Sequence, residues 1–346
     1  MQNGRQNSQA PEPHPKDDEM TMTKRLLLGA GVALAAALGS TMAGAQSYPA
    51  RTITVIIPFA GGSASDVVSR IMFDKMSKNM GQPIIVENRP GAGGNSGTGA
   101  AAKATPDGYT LVGGGSGPVA ANVSLYKVLG YDPEKDLEMI GPFAGFTIVV
   151  VASKNLPVTS LKELVENAKA NPGKLNYGSV GIGSSQHLAG EFFSQINGVK
   201  MTHVPYRNIA QYGRDLIAGQ VPLGFQWFPN VAGPIGSKEA IPLAVAGDKR
   251  IAALPDTPTT TEAGMPQYKE RGWFALLAPA GTPKPILDRL NKEMKAAVED
   301  PQVKKGFETA GAETMSMPLD QVKKWQHDEI AKYRDIIAKA GIAQIE

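Results

Sequence analysis

The residues best placed to do chemistry lie in Pro58-Phe59-Ala60-Gly61-Gly62-Ser63-Ala64-Ser65-Asp66, directly after the apolar run Thr52–Ile57. The pattern predicts a buried strand, a glycine turn and a helix start. Glycine lets the backbone turn tightly and come close to a ligand. Ser63 can cap the helix, with Asp66 three residues on as its capping-box partner. A helix start offers free N–H groups and the positive end of a dipole, which suits an anion. A second start of this kind is Tyr177-Gly178-Ser179-Val180-Gly181-Ile182-Gly183-Ser184-Ser185, and Gly113–Gly117 with Ser116 follows another predicted strand. In open α/β sheets ligands gather beyond the carboxyl ends of strands. Serine hydroxyls can donate to a carboxylate without adding a counter-charge. The chemistry these residues suggest is capture of a small carboxylate between two halves of the chain.

Catalytic and metal chemistry find little support. Past the first 45 residues the histidines are His187, His203 and His327, none with a second His or Cys at ligand spacing, so no metal is expected. The nearest approach to a nucleophile elbow is Gly114-Gly115-Ser116-Gly117-Pro118, which has Pro where the last Gly belongs. Gly181-Ile182-Gly183-Ser184-Ser185-Gln186 lacks the third glycine of a dinucleotide fingerprint, and no phosphate-binding P-loop is present. No cofactor is expected. Phe59, Phe146, Phe225, Trp227 and Phe228 either fill the core or line the cleft. His187 either holds its loop or touches ligand, and Arg207 either pairs with a carboxylate or is solvated. The candidate ligand contacts are therefore Phe59, Ala60, Gly61, Gly62, Ser63, Ser116, Gly117, Ser179, Gly183, Ser184, Ser185, His187, Gln226 and Trp227.

These residues need a scaffold, and the chain alternates strand-like and helix-like segments, the pattern of α/β layers. Strands are expected at Thr52–Ile57, Pro83–Glu87, Tyr109–Val112, Phe146–Ala152, Leu175–Gly178, Val221–Phe225 and Ile241–Val245. Helices are expected at Asp66–Met80, Gly97–Ala104, Ser185–Ile196, Tyr212–Ala218, Ile286–Val298 and Leu319–Ala340. Ser160-Leu161-Lys162-Glu163 is a capping box opening a further helix that stops near Asn171. Phe146–Ala152 reads as an outgoing crossover and Trp273–Leu277 as the return.

The first 45 residues stand apart. Lys24 and Arg25 precede the apolar run Leu26–Leu38, and Ala43-Gly44-Ala45 follows. That is the pattern of a secretory signal peptide, and the run is shorter than the roughly 20 residues a membrane span needs. The polar leader Met1–Glu19 suggests a start at Met20 or Met22. Residues 46–346 number 301, ample for two domains. The net charge of +3 is too weak to argue for nucleic acid, and the chain has no cysteine, so an exported form relies on its core rather than on disulfides.

Several ordered motifs then carry a resemblance. They are Pro58-Phe59-Ala60-Gly61-Gly62 with Asp66, Val86-Glu87-Asn88-Arg89-Pro90-Gly91-Ala92-Gly93-Gly94, Pro106–Leu111, Tyr177–Ser184 with His187-Leu188, Val204-Pro205-Tyr206, and Leu254–Gly264. Together they make the sequence similar to the Bug-type solute-binding proteins of tripartite tricarboxylate transporters, over nearly all of residues 46–346. The resemblance implies an α/β Venus-flytrap fold with two crossover strands, lobe 1 being 46–147 plus 274–346 and lobe 2 being 148–273. It also implies a periplasmic protein, expected as a monomer, that captures a small carboxylate and delivers it to the membrane subunits of such a transporter. The first-lobe loops would map to Phe59–Ser65 and Ser116, the second-lobe contacts to Ser179–Ser185 and Phe225-Gln226-Trp227. This chain departs from the family at Val221–Gln226, where two acids are missing. A Gln226 facing the cleft could donate to a carboxylate, which favours a dianion or an aromatic acid over an amino acid. A secreted hydrolase using Ser116 or Ser184 with His187, and a ligand-presenting partner of a membrane sensor, are the rival readings.

Overall fold

The computed structural model describes residues 48–339 and 341–346. The leader, the apolar run and the cleavage point after Ala45 lie outside the described residues. Strands form at β1 (Ile53–Ile57), β2 (Ile84–Asn88), β3 (Thr110–Gly115), β4 (Leu137–Thr147), β5 (Val149–Ser153), β6 (Asn176–Ser179), β7 (Thr202–Pro205), β8 (Leu223–Gln226), β9 (Ala240–Val245), β10 (Arg271–Pro279) and β11 (Ala312–Thr314).

Two mixed sheets result. One has the order β11-β4-β10-β3-β1-β2, the other β7-β6-β8-β5-β9. In the first, β1 runs parallel to β2 and β3, while β10 runs antiparallel to β3 and β4. In the second, β6 is parallel to β7 and β8, and β5 is antiparallel to β8 and β9. β1 is apolar without alternation because both its faces are covered, and Ile53, Val55 and Ile57 are fully buried.

The expected outgoing crossover is present: β4 continues through Ile148 into β5, so Phe146 and Val149 lie in different sheets. The return differs from expectation, because Trp273–Leu277 lies wholly inside β10 of the first sheet. The chain crosses back just upstream, at Glu270. There Ile148 N–H donates to the Glu270 carbonyl (3.0 Å) and Ala246 N–H donates to the Ile148 carbonyl (2.8 Å). The outgoing and returning segments are thus hydrogen-bonded where they pass.

The helix after β1 spans Ala64–Met80 and buries Val68, Met72 and Met76 at helical spacing. It ends at Gly81 in the left-handed conformation (φ 69°), which glycine adopts at least cost. Gly113–Gly115 depart from the expected loop and form the end of β3, paired with Leu276, Ala275 and Phe274. A Cβ at Gly113 would lie 2.5 Å from Ile57 and one at Gly114 2.5 Å from Val119, so these glycines serve close packing. Helices at Phe228–Gly236 and Pro301–Thr309 had no clear sequence signal. In the first, Pro229 and Pro234 obscure the period.

Aromatic side chains knit the two sheet systems together. Trp227, just past β8, stacks on Phe146 of β4 (4.6 Å between centroids, 13° between planes). Its ring also meets Phe274 of β10 edge-on at 5.2 Å, and Phe274 meets Phe59 at 5.9 Å. Both sheets belong to one contact unit, Pro49–Glu346.

Candidate functional site

A cavity of about 330 Å³ opens where the two sheets face one another. Its walls follow strand ends. Pro58, Phe59, Ala60 and Ser63 come after β1, and Pro90–Gly93 after β2. Val180–Ile182 come after β6, and Pro205–Arg207 with Ile209 at the end of β7 and just beyond. Tyr126 and Ile345 complete it. β1 pairs with β2 in parallel, and β6 with β7, so each sheet contributes the carboxyl ends of two neighbouring strands. That is where α/β folds place ligands.

The lining is mainly apolar, with one charge. Among the described residues, Arg207 is the only ionised side chain on the wall, and no Asp or Glu lies there. Its guanidinium is exposed and has no hydrogen-bond or ion-pair partner among the described residues. The tyrosine hydroxyls are already engaged. Tyr126 donates to the Ile182 carbonyl (3.0 Å), and Tyr206 donates to Asp215 Oδ2 (2.7 Å). Ser63 Oγ and Ser65 Oγ share one hydrogen bond at 2.9 Å, which leaves one O–H of the pair free.

Of the expected contacts in this loop, Phe59, Ala60 and Ser63 line the cavity, whereas Gly61 and Gly62 form the turn and are not on its wall. The expected capping box is shifted. Ser63 makes no side-chain cap, and Asp66 Oδ2 accepts from Gly62 N–H (2.9 Å) instead of from Ser63 N–H. Asp66 is itself the anion at this helix start. Burial alone would raise its pKa, but hydrogen bonds from Arg70, Gly62 and Asn88 and the Arg70 charge hold the carboxyl below its usual range. Ala64 N–H donates to Asn230 Oδ1 (2.8 Å), so a side chain from the other sheet system caps this helix.

The second glycine-serine loop is likewise satisfied from within. Ser184 Oγ donates to the Gly181 carbonyl (2.7 Å) and accepts from His187 N–H (3.3 Å), as an N-cap does. Ser179 Oγ is held by Gly181 and by His203 Nε2 (2.6 Å). His187 Nδ1 accepts from Gly183 N–H (3.2 Å), and its ring lies 4.2 Å from that of His203. Burial pushes the His187 pKa down to about 4, and burial with the neighbouring His187 pushes that of His203 to about 3.

Gln226 requires a correction. It is fully buried rather than facing the cleft. Its Nε2 donates to the Gly178 carbonyl (2.8 Å), and its Oε1 accepts from Asn230 Nδ2 (3.0 Å). The amide ties the end of β8 to β6, where an acid would leave the Gly178 carbonyl without this donor. Trp227 is buried in the aromatic contact, and its Nε1–H has no hydrogen-bond partner among the described residues.

The remaining candidates meet across the seam between the halves. Ser116 Oγ lies 2.8 Å from Ser185 Oγ and accepts from Trp273 N–H (3.4 Å). A Cβ at Gly117 would lie 2.5 Å from the Gly183 carbonyl oxygen, and one at Gly93 would lie 1.9 Å from that of Ile182. Glycine is needed at both positions because two backbones touch there. Pro90–Gly93 and Pro205–Tyr206 sit inside sequence motifs, so their place on the wall had a signal. Tyr126, Ile209 and Ile345 had none, since only the folded chain brings them to this place.

The profile of the tripartite tricarboxylate transporter family receptor matches residues 68–342. Protein BugT of Bordetella pertussis is 33% identical over 323 residues, spanning 93% of this chain and 99% of its own. Among solved structures, periplasmic binding protein BugD superposes with a TM-score of 0.81 at 32% identity, covering 86% of this chain and all of its own. R. palustris Rpa4515, solved with adipate, superposes with a TM-score of 0.83 at 34% identity over the same share of each chain. This chain therefore has the two-lobed fold of periplasmic binding proteins and belongs to the tripartite tricarboxylate transporter receptor family.

Proposed function

We propose that this protein is an exported receptor that captures a small carboxylate between its lobes and presents it to the membrane subunits of a tripartite tricarboxylate transporter, with no chemical step. The observation that carries the reading is the cavity at the strand ends of both sheets, with Arg207, unpaired among the described residues, on its wall. The adipate in the R. palustris relative supports the ligand class. The signal-peptide pattern ending at Ala45 supports export to the periplasm. Sheet membership supports two lobes close to the expected 46–147 plus 274–346 and 148–273, with the return to the first lobe at Glu270 rather than after Trp273. The receptor is taken to act as a monomer. Ligand touching both lobes would favour the closed form by its differential affinity for that form.

A serine hydrolase reading gains no support from the site. His187 Nδ1 is taken by Gly183 N–H, Ser116 Oγ pairs with Ser185, and the buried Ser179 beside His203 is tied to its own loop. Calorimetry of the purified protein against a panel of small mono- and dicarboxylates tests the proposal, with mass spectrometry of the recovered ligands. At least one acid should bind with saturable heat and return unchanged. A panel with no binder, or an acid returned as product, overturns it.

A further inference from the structure

The cavity walls narrow the ligand class, on the reading that the carboxylate is held in this cavity. Among the described residues a single cation faces it, and no acid does. The rest of the wall includes the apolar side chains of Phe59, Pro90, Val180, Ile182 and Ile209. The tyrosine hydroxyls on the wall have spent their protons on Ile182 and Asp215. One charge can be met by one carboxylate. A second carboxylate would lose its water against apolar walls with no counter-charge, which costs far more than the burial of a hydrocarbon gains. Gln226, which would have favoured a dianion or an aromatic acid over an amino acid, is buried in hydrogen bonds to Gly178 and Asn230 and so does not choose between them; the wall does. The volume, about 330 Å³, sits at the small end of the roughly 300–1,000 Å³ typical of ligand pockets.

We propose that this chain selects a small singly charged carboxylate with an apolar, ring-sized body. Its carboxylate pairs with Arg207, and its body fills the space between Phe59 and the Val180–Ile182 loop. A planar guanidinium suits this task because it meets both carboxylate oxygens at once. Arg207 decides charge, and the apolar wall rejects the second charge.

Titration calorimetry with benzoate, phenylacetate, phenylacetamide and adipate tests this on the wild type and on Arg207→Gln. Thermal unfolding controls for folding, and it should be unchanged because Arg207 is exposed and unpartnered. The better aryl acid should bind at least about tenfold tighter than adipate and than phenylacetamide. Arg207→Gln should weaken the aryl acid about ten- to a hundredfold, the effect of one charge-assisted hydrogen-bonded pair, and leave phenylacetamide unaffected. Adipate binding as tightly as the aryl acids, or an aryl acid indifferent to Arg207→Gln, overturns the inference while leaving the receptor reading intact. Silence from every acid in the wider panel overturns both.

Discussion

Gly117→Ala separates closure of the lobes from the folding of each lobe. Gly117 opens the helical turn after β3 and has no left-handed φ, so alanine suits its local backbone. By helix propensity alone the exchange is favourable by up to about 1 kcal/mol. Across the seam it is not. The new methyl would lie 2.5 Å from the Gly183 carbonyl oxygen and 3.4 Å from the Ser184 Cα. The first distance is half an ångström short of the 3.0 Å that real Cβ contacts respect. The obstructing atom is backbone, in a loop already tied by Ser184 and His187, so it yields little. Overpacking of this kind costs about 1–3 kcal/mol. Charged to the closed form alone, that lowers ligand affinity about 5- to 150-fold. Calorimetry with the best-binding carboxylate measures the affinity, and scanning fluorimetry without ligand measures stability. The expected result is weaker binding with an unfolding temperature equal to or above that of the wild type. An unchanged dissociation constant would refute the reasoning, and so would a fall in stability as large as the fall in binding energy.

Two further outcomes follow from the same loops. Ser184→Ala removes an N-cap and should cost about 1 kcal/mol of stability while changing affinity less than threefold, because its hydroxyl serves Gly181 and His187; a large affinity loss at constant stability would place Ser184 on the ligand. His187 and His203 have folded pKa values of about 4 and about 3, below the 6.5 of a free imidazole. Between those limits the unfolded chain binds more protons, so their contribution to stability is full above about pH 6.5 and is lost as pH falls toward 4. One such imidazole accounts for about 2 kcal/mol at pH 5. Buried Glu270, its carboxyl pushed up to about 7, works the other way in this window, so the decline is read as a difference: from pH 7.5 to 4.5 chemical denaturation should show the wild type losing stability relative to His203→Gln, and parallel profiles would refute the assignment.

Local signals carried most of the element list. β1, the helix Ala64–Met80 and the capped helix Leu161–Ala170 lie within two residues of expectation. Burial periods and capping residues act over a few positions, and a sequence displays them directly. The same holds for Ser184, whose capping of the next helix needs only its own neighbours. Phe59, Ala60 and Ser63 could be read as ligand-facing because a glycine turn after a parallel strand points outward whatever surrounds it.

What the sequence could not express was which donors remain free after folding. Both helix starts looked ready for an anion, yet one is filled by Asp66 and by Asn230 from the other lobe, the other by Ser184 and His187. Gln226 looked like a ligand donor until Gly178 and Asn230, 48 residues before it and four after, claimed its amide. Tyr126 and Ile345 reach the cavity wall from segments that share no motif with it. By itself the sequence determined the α/β layering, the family motifs and the glycine turns, since each depends on residues close in the chain. Tertiary structure alone decided that, among the described residues, Arg207 is the one charge left facing the cavity, because a side chain's freedom depends on every distant partner that could have claimed it.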